Sequence, residues 1–133
     1  MKVLLIGGTG IISTAITELA ARTDGVDLYI LNRGSTPCLF ECDIKLIQAD
    51  ISNTDQVRAR IGEMKFDVVA DFISYDVNCL EQKLDIFRGI TGQYIFISSC
   101  AAYSYPPYTK LITEENTRTG NIVWSYGLNK TLC

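Results

Sequence analysis

Histidine is absent from this 133-residue chain, and proline is scarce, with only Pro37, Pro106 and Pro107. Without histidine, and without a second cysteine pair, the Cys38-x-x-x-Cys42 spacing has no partners to complete a tetrahedral metal site, so no metal is expected. The five cysteines, Cys38, Cys42, Cys79, Cys100 and Cys133, are odd in number and irregularly spaced, and read as reduced, structural thiols. No apolar run approaches the roughly 20 residues of a membrane span, and Met1-Lys2 leads straight into a short apolar segment with no visible signal peptide. A cytoplasmic location without a membrane partner is the expectation. A basic excess is also missing: 12 Lys and Arg stand against 15 Asp and Glu, a net charge of −3, which argues against nucleic acid as the main partner. What is abundant is apolar material, 47% of the chain against 20% charged, enough for one core.

That material is organised around the first stretch. Val3 to Ile6 is wholly apolar and runs into glycines, as a strand buried on both faces of a parallel sheet does. Gly7, Gly8 and Gly10 then open a helix in which Ile11, Ile12, Ala15, Ile16, Leu19 and Ala20 recur at helical spacing until Asp24-Gly25. Alone, such a turn is also an ordinary tight connection. Between a strand and a helix N-terminus, its unpaired amides and the helix dipole make an anion site, whose natural guest is a pyrophosphate. The Lys-Ser/Thr pair of a Walker A loop is missing after the last glycine.

The spacing Gly7-x-x-Gly10-x-x-Ser13 resembles the TGxxGxxG fingerprint of the short-chain dehydrogenase/reductase superfamily, particularly its extended branch of nucleotide-sugar epimerases and dehydratases. Two positions depart from it. Ile6 stands where that family often has Thr, and Ser13 replaces the third glycine, a small residue that is tolerated there but should loosen the packing of helix on strand. The resemblance implies an α/β fold, a Rossmann-type doubly wound parallel sheet, in which Gly7, Gly10, Ile11 and Ile12 contact the pyrophosphate of NAD or NADP.

Asp27 to Leu31 reads as the second strand, ending at Asn32-Arg33-Gly34. In dinucleotide folds an acid at this strand end favours NAD, whereas a nearby Arg accommodates the 2′-phosphate of NADP. The acid is absent and Arg33 is present, so NADP is favoured over NAD; without the fingerprint, Arg33 would read as a solvated surface charge. Residues 35–43, with Pro37, read as a loop, and Ile44 to Ala49 as the third strand. Asp50 then resembles the family residue that hydrogen-bonds the adenine amino group, and a turn-forming acid is an equal local explanation. Ser52-x-x-Asp55 reads as the cap of a helix with Val57 and Ile61 on its buried face and Gly62 near its stop. Phe66 to Ile73 is the fourth strand, and the resemblance implies that residues 71–75 line the cofactor. Asp76 should cap the next helix, whose Val77, Leu80, Leu84 and Phe87 form a core stripe ending near Gly89. Gln93 to Ile97 is the fifth strand; residues 104–120, with Pro106-Pro107, form a long loop of the kind that lines active sites.

A last helical segment begins at Asn121. Within it Tyr126 and Lys130 are four residues apart and share a face. An ammonium beside a phenol favours the phenolate, so such a pair can take or give a proton, although a Tyr and a Lys at this spacing are commonly a plain surface pair. Their order matters: Ser98-Ser99-x-x-x-Tyr103 followed by Tyr126-x-x-x-Lys130 resembles the serine segment and the YxxxK pair of the same family. The resemblance implies Ser99 as the catalytic serine, with Ser98 the fallback, Tyr126 as acid and base, and Lys130 as the group that tunes Tyr126 and reaches the cofactor ribose.

The expectation is an NAD(P)-binding Rossmann domain over residues 1–133 that carries a Ser/Tyr/Lys site. Its function would be that of an NAD(P)-dependent epimerase/dehydratase-type oxidoreductase, with a nucleotide-sugar or related small molecule as substrate. Enzymes of that branch continue beyond the lysine into further strands and a C-terminal substrate region, so this chain reads as truncated before that region. An open sheet edge and uncovered apolar surface would then favour self-association into homo-oligomers, or instability. The alternative reading is a dinucleotide-binding regulatory module, or an inactive fragment, without turnover.

Overall fold

The structure is a computed structural model and describes residues 1–35, 43–105, 107, 110–115, 120 and 123–133. Five parallel strands, β1 (Lys2–Ile6), β2 (Asp27–Asn32), β3 (Lys45–Gln48), β4 (Phe66–Asp71) and β5 (Thr91–Phe96), form one sheet in the order β3-β2-β1-β4-β5. The chain starts at the centre of the sheet, moves outward to β3, and then crosses to β4 and β5. β1 pairs with β2 from Lys2↔Asp27 to Ile6↔Leu31, and with β4 from Val3↔Val68 to Ile6↔Asp71. The order therefore reverses between β1 and β4, the place where ligands bind in sheets of this type. The expected strands are all present, with ends displaced by one or two residues.

Two compact units divide the chain: Met1–Ile73 with Gln82–Ile97, which contains the sheet, and Ser74–Glu81 with Ser98–Cys133. In the first unit the side-chain alternation of a strand splits β1 between two apolar layers. Leu4 and Ile6 join Leu31, Ile47 and Val69 under Val57 and Ile61 of α2 (Thr54–Ile61) and under Ile86 and Phe87, the last residues of α3 (Val77–Phe87). Val3 and Leu5 join Leu28 and Ala70 on the other face, with Ala20 and Ala21 of α1 (Ile11–Ala21) packed against them. Burial of β1 on both faces accounts for its unbroken apolar run.

Apart from Ala20, the apolar stripe that the sequence of α1 displays is not its buried face. Ser13 and Thr17 are buried at 2% and 0% exposure, whereas Ile12, Ile16 and Leu19 are 71%, 42% and 71% exposed. The reason is close approach. A Cβ on Gly8 would stand 3.0 Å from Ile30 Cγ1 and 3.1 Å from Thr17 Oγ1, so the inner face of α1 has room for small side chains only. The Thr17 hydroxyl is satisfied there by donating to the Gly8 carbonyl at 2.7 Å.

Other boundaries shift for identifiable reasons. The cap of α2 is Asn53 rather than Ser52: its side chain accepts from the Gln56 amide at 3.0 Å. Gly62 ends that helix as expected. In the second unit Asp76 caps the start of α3, its Oδ1 accepting from the Cys79 amide at 2.8 Å. The buried residues of α3 are Leu80, Lys83, Ile86 and Phe87, with Leu84 turned outward. A short 3-10 turn (Cys100–Ala102) and α4 (Ser125–Leu132) complete the described elements of the second unit, and the Thr131 hydroxyl donates to the Ala102 carbonyl at 2.9 Å, joining them. α4 starts four residues after the expected Asn121, because Trp124 is extended (φ −122°, ψ 120°) and forms its N-cap. Asn121 itself, and the pair Cys38 and Cys42, lie outside the described residues. Among the described residues no helix is long and apolar enough to cross a membrane.

Candidate functional site

The first unit carries a cleft of about 290 Å³ at the carboxyl ends of β1 to β4. One wall is the glycine turn. Gly7 has φ +84°, a conformation that favours glycine, and a Cβ there would meet Ile73 Cγ1 at 2.5 Å. The turn is tied to the sheet by its own backbone, the Gly7 amide donating to the Leu31 carbonyl at 3.0 Å.

Ser13, expected to loosen this region, instead closes it. Its hydroxyl accepts from the Gly10 amide at 2.9 Å and donates to the Gly7 carbonyl at 2.7 Å, while Gly10 serves as the N-cap of α1. Gly7 and Thr9 line the cleft, and Gly10 positions the first turn of α1 beside it. Ile11 and Ile12 follow in that turn with side chains 100% and 71% exposed, so what they can offer a ligand inside the turn is backbone amide.

The opposite wall comes from the ends of β2 and β3. Asn32, Arg33 and Ser35 line it, together with Ala49, Asp50 and Ser52. Arg33 is exposed, and its backbone is held: the Gln48 amide group donates to the Arg33 carbonyl at 3.2 Å, and the Gly34 amide donates to Asn32 Oδ1 at 2.9 Å. Asp50 is at once a cleft residue and a turn former, with Oδ1 accepting from the Ser52 amide at 2.9 Å. An arginine and an acid on one wall, facing a crowded glycine turn on the other, suit a ligand that carries both phosphate and a hydrogen-bonding ring.

The second unit brings Tyr126 and Lys130 together on one face of α4. Lys130 is buried, its Nζ lies 5.8 Å from the Tyr126 ring centroid, and it donates to the Ser74 carbonyl at 2.6 Å. Trp124 packs on Tyr126 with ring centroids 5.1 Å apart. Ser99 caps the 3-10 turn that packs against α4, its Oγ accepting from the Ala101 amide at 3.2 Å. Ser98 is exposed and Ser99 half-buried.

One cluster escaped the sequence. Asp71, at the end of β4, is 1% exposed and accepts from the Tyr94 hydroxyl at 2.8 Å, with Lys83 Nζ 3.6 Å from the same oxygen, Oδ2. Burial pushes the Tyr94 phenol above its ordinary value of 10.0, and the charge of Asp71 pushes it further in that direction. The faint signal was Lys83, a charged residue three positions from both Leu80 and Ile86 on the buried face of a helix.

The model of the NAD dependent epimerase/dehydratase family matches residues 3–133. The chain belongs to that family. No curated protein matches it. Solved structures do. The UDP-glucose 4-epimerase of Bifidobacterium longum, in complex with NAD+ and UDP, is 23% identical with a TM-score of 0.81, over 98% of this chain and 46% of that one. The UDP-Glc/GlcNAc 4-epimerase of Campylobacter jejuni is 19% identical with a TM-score of 0.78, over 98% and 46%. The Bordetella bronchiseptica enzyme WbmG, in complex with NAD, is 16% identical with a TM-score of 0.76, over 99% and 47%. These likenesses establish the Rossmann-type fold, and the chain spans less than half the length of each of these three structures. For a member of the NAD dependent epimerase/dehydratase family, the crowding at Gly7 is the observation that bears on cofactor fit: with no Cβ, the turn lets the Ile73 side chain pack against it and adds no side chain of its own to the cleft.

Proposed function

We propose that the chain forms the cofactor-binding part of an NAD(P)-dependent epimerase/dehydratase-type oxidoreductase acting on a nucleotide-sugar or related hydroxyl/carbonyl substrate. The observation that carries the proposal is the cleft at the carboxyl ends of β1 to β4, floored by Gly7 and walled by Arg33 and Asp50, in a chain of that family. In this reading the amides of the first turn of α1, at Ile11 and Ile12, with the turn of Gly7 and Gly10 beside them, hold the pyrophosphate. Asp50 accepts from the adenine amino group. Arg33 meets a 2′-phosphate; the absence of an acid at the end of β2 supports NADP, while the neighbours with a bound dinucleotide carry NAD.

When bound, the nicotinamide supplies a reversible hydride acceptor. Tyr126 takes the proton from the substrate hydroxyl as it is oxidised and returns it on reduction. Lys130, buried and four residues on along the same helix face, holds positive charge beside Tyr126, and it also reaches the cofactor ribose. Ser99 donates a hydrogen bond to the reacting oxygen. The pairing of Tyr126 with Lys130 on one face of α4 supports their joint role.

The test is calorimetric titration with NADPH and NADH, followed by assay of UDP-sugar epimerisation. Saturable binding is expected, with turnover falling at least about 100-fold in Tyr126→Phe at unchanged cofactor affinity. Equal turnover by Tyr126→Phe would remove its acid and base role. Binding without turnover by the wild-type chain would identify a dinucleotide-binding module instead.

A further inference from the structure

The buried group at the end of β4 has more charge than a strand end requires. An aspartate that merely closes a turn can do so at the surface, as Asp50 does with Ser52. Asp71 is 1% exposed, and Lys83, 3.6 Å away, is 4% exposed. Removing two such charges from water carries a desolvation cost that an apolar pair of similar volume would avoid, so stability alone does not account for them. What a satisfied buried network does supply is a single fixed orientation for each of its members.

The orientation fixed here leads to the cleft. Asp71 uses its two oxygens differently: Oδ2 accepts from the Tyr94 hydroxyl at 2.8 Å and faces Lys83, while Oδ1 accepts from the Ile73 amide at 2.9 Å. The Phe72 amide, between them, donates to the Ile6 carbonyl at 3.1 Å and so pins the same segment to β1. Ile73 is the cleft residue whose Cγ1 and Cδ1 lie 2.5 and 2.8 Å from the place a Gly7 Cβ would occupy. A chain of contacts thus runs from Tyr94 and Lys83, through Asp71 and the Ile73 backbone, to the glycine turn.

We propose that Asp71 is a positioning residue for the dinucleotide cleft: clamped by Tyr94 and Lys83, its carboxylate sets the Ile73 backbone, and through it the side chain that shapes the wall against Gly7. The identity of the ligand rests on the function proposed above; the positioning itself does not.

The experiment measures two properties of the same variants. NADPH affinity is expected to fall about three- to tenfold in Tyr94→Phe, which keeps the ring and removes the hydroxyl, and in Asp71→Asn. Combining Tyr94→Phe with Ile73→Ala should then lose little more than Ile73→Ala alone, because both act through one contact. Additive losses, or unchanged affinity with only a lowered melting temperature, would leave Asp71 a structural residue and overturn the proposal. The second measurement needs no ligand: amide exchange at Ile73 and the amide chemical shift of Gly7. Tyr94→Phe should speed the former at least about threefold and move the latter. If wild type binds no NADPH while both amide signals respond, the dinucleotide reading fails and the positioning stands. If neither signal responds, the positioning fails whatever the cofactor does.

Discussion

The hydroxyl of Ser13 accepts from the amide of Gly10 and donates to the carbonyl of Gly7, closing the glycine turn from inside. A serine at the position of a fingerprint glycine is therefore a strut. Ser13→Ala should cost about 1 kcal/mol in urea denaturation, the usual loss when a helix N-terminus is left without its capping oxygen. Ser13→Gly, which restores the fingerprint, should be no better, since it removes the same hydroxyl and adds glycine's own helix cost. A stabilised Ser13→Gly protein would show that close packing outweighs the strut.

Gly7→Ala tests the floor of the cleft. At φ +84° an L side chain carries a penalty of about 1–2 kcal/mol, and the new methyl would push Ile73 out of place. Lower stability and weaker NADPH binding should appear together, read by denaturation and calorimetry on the same sample.

Arg33→Ala addresses coenzyme choice. Loss of a charge-assisted contact to a 2′-phosphate should reduce NADPH affinity about tenfold and leave NADH affinity unchanged. An unaltered NADPH-to-NADH ratio would assign Arg33 to the solvent.

Tyr94 gives a pH signature. Its phenol is raised in the folded state by burial and then by Asp71, so the folded protein holds this proton more tightly than the unfolded chain. The contribution is complete below the ordinary tyrosine value of 10.0 and is lost as pH rises above it. Denaturation midpoints measured between pH 8 and about 11 should fall more steeply for wild type than for Tyr94→Phe.

Legibility in the sequence followed locality. The five strands were readable because each is a short apolar run closed by turn residues, and the Tyr126–Lys130 pair because four residues along a helix determine a shared face. Ser13 was readable as a departure from a fingerprint but not as a strut, since its partners are carbonyl and amide groups that carry no residue code. The inward face of α1 was inverted because the governing fact, the closeness of Gly8 to Ile30, lies across a helix and two strands. Lys83 was hidden for the same reason: its counter-charge, Asp71, is contributed by β4, and its companion Tyr94 by β5. The caps moved by small steps, as from Ser52 to Asn53, because adjacent polar residues are nearly equivalent in sequence and only backbone geometry chooses between them.

The central place of β1 sets a schedule for biosynthesis. Of the strands in this sheet the first to be made is the one that needs neighbours on both sides, and its second neighbour pairs Val68 with Val3, 65 residues later. At ribosomal speeds of about 5–20 residues per second, that edge waits roughly 3–13 s for its partner. Nascent chains arrested before Val68 should accordingly be cleaved readily by protease within β1, and chains released after β5 should resist. During those seconds Val3-Leu4-Leu5-Ile6 is a ready client for a chaperone.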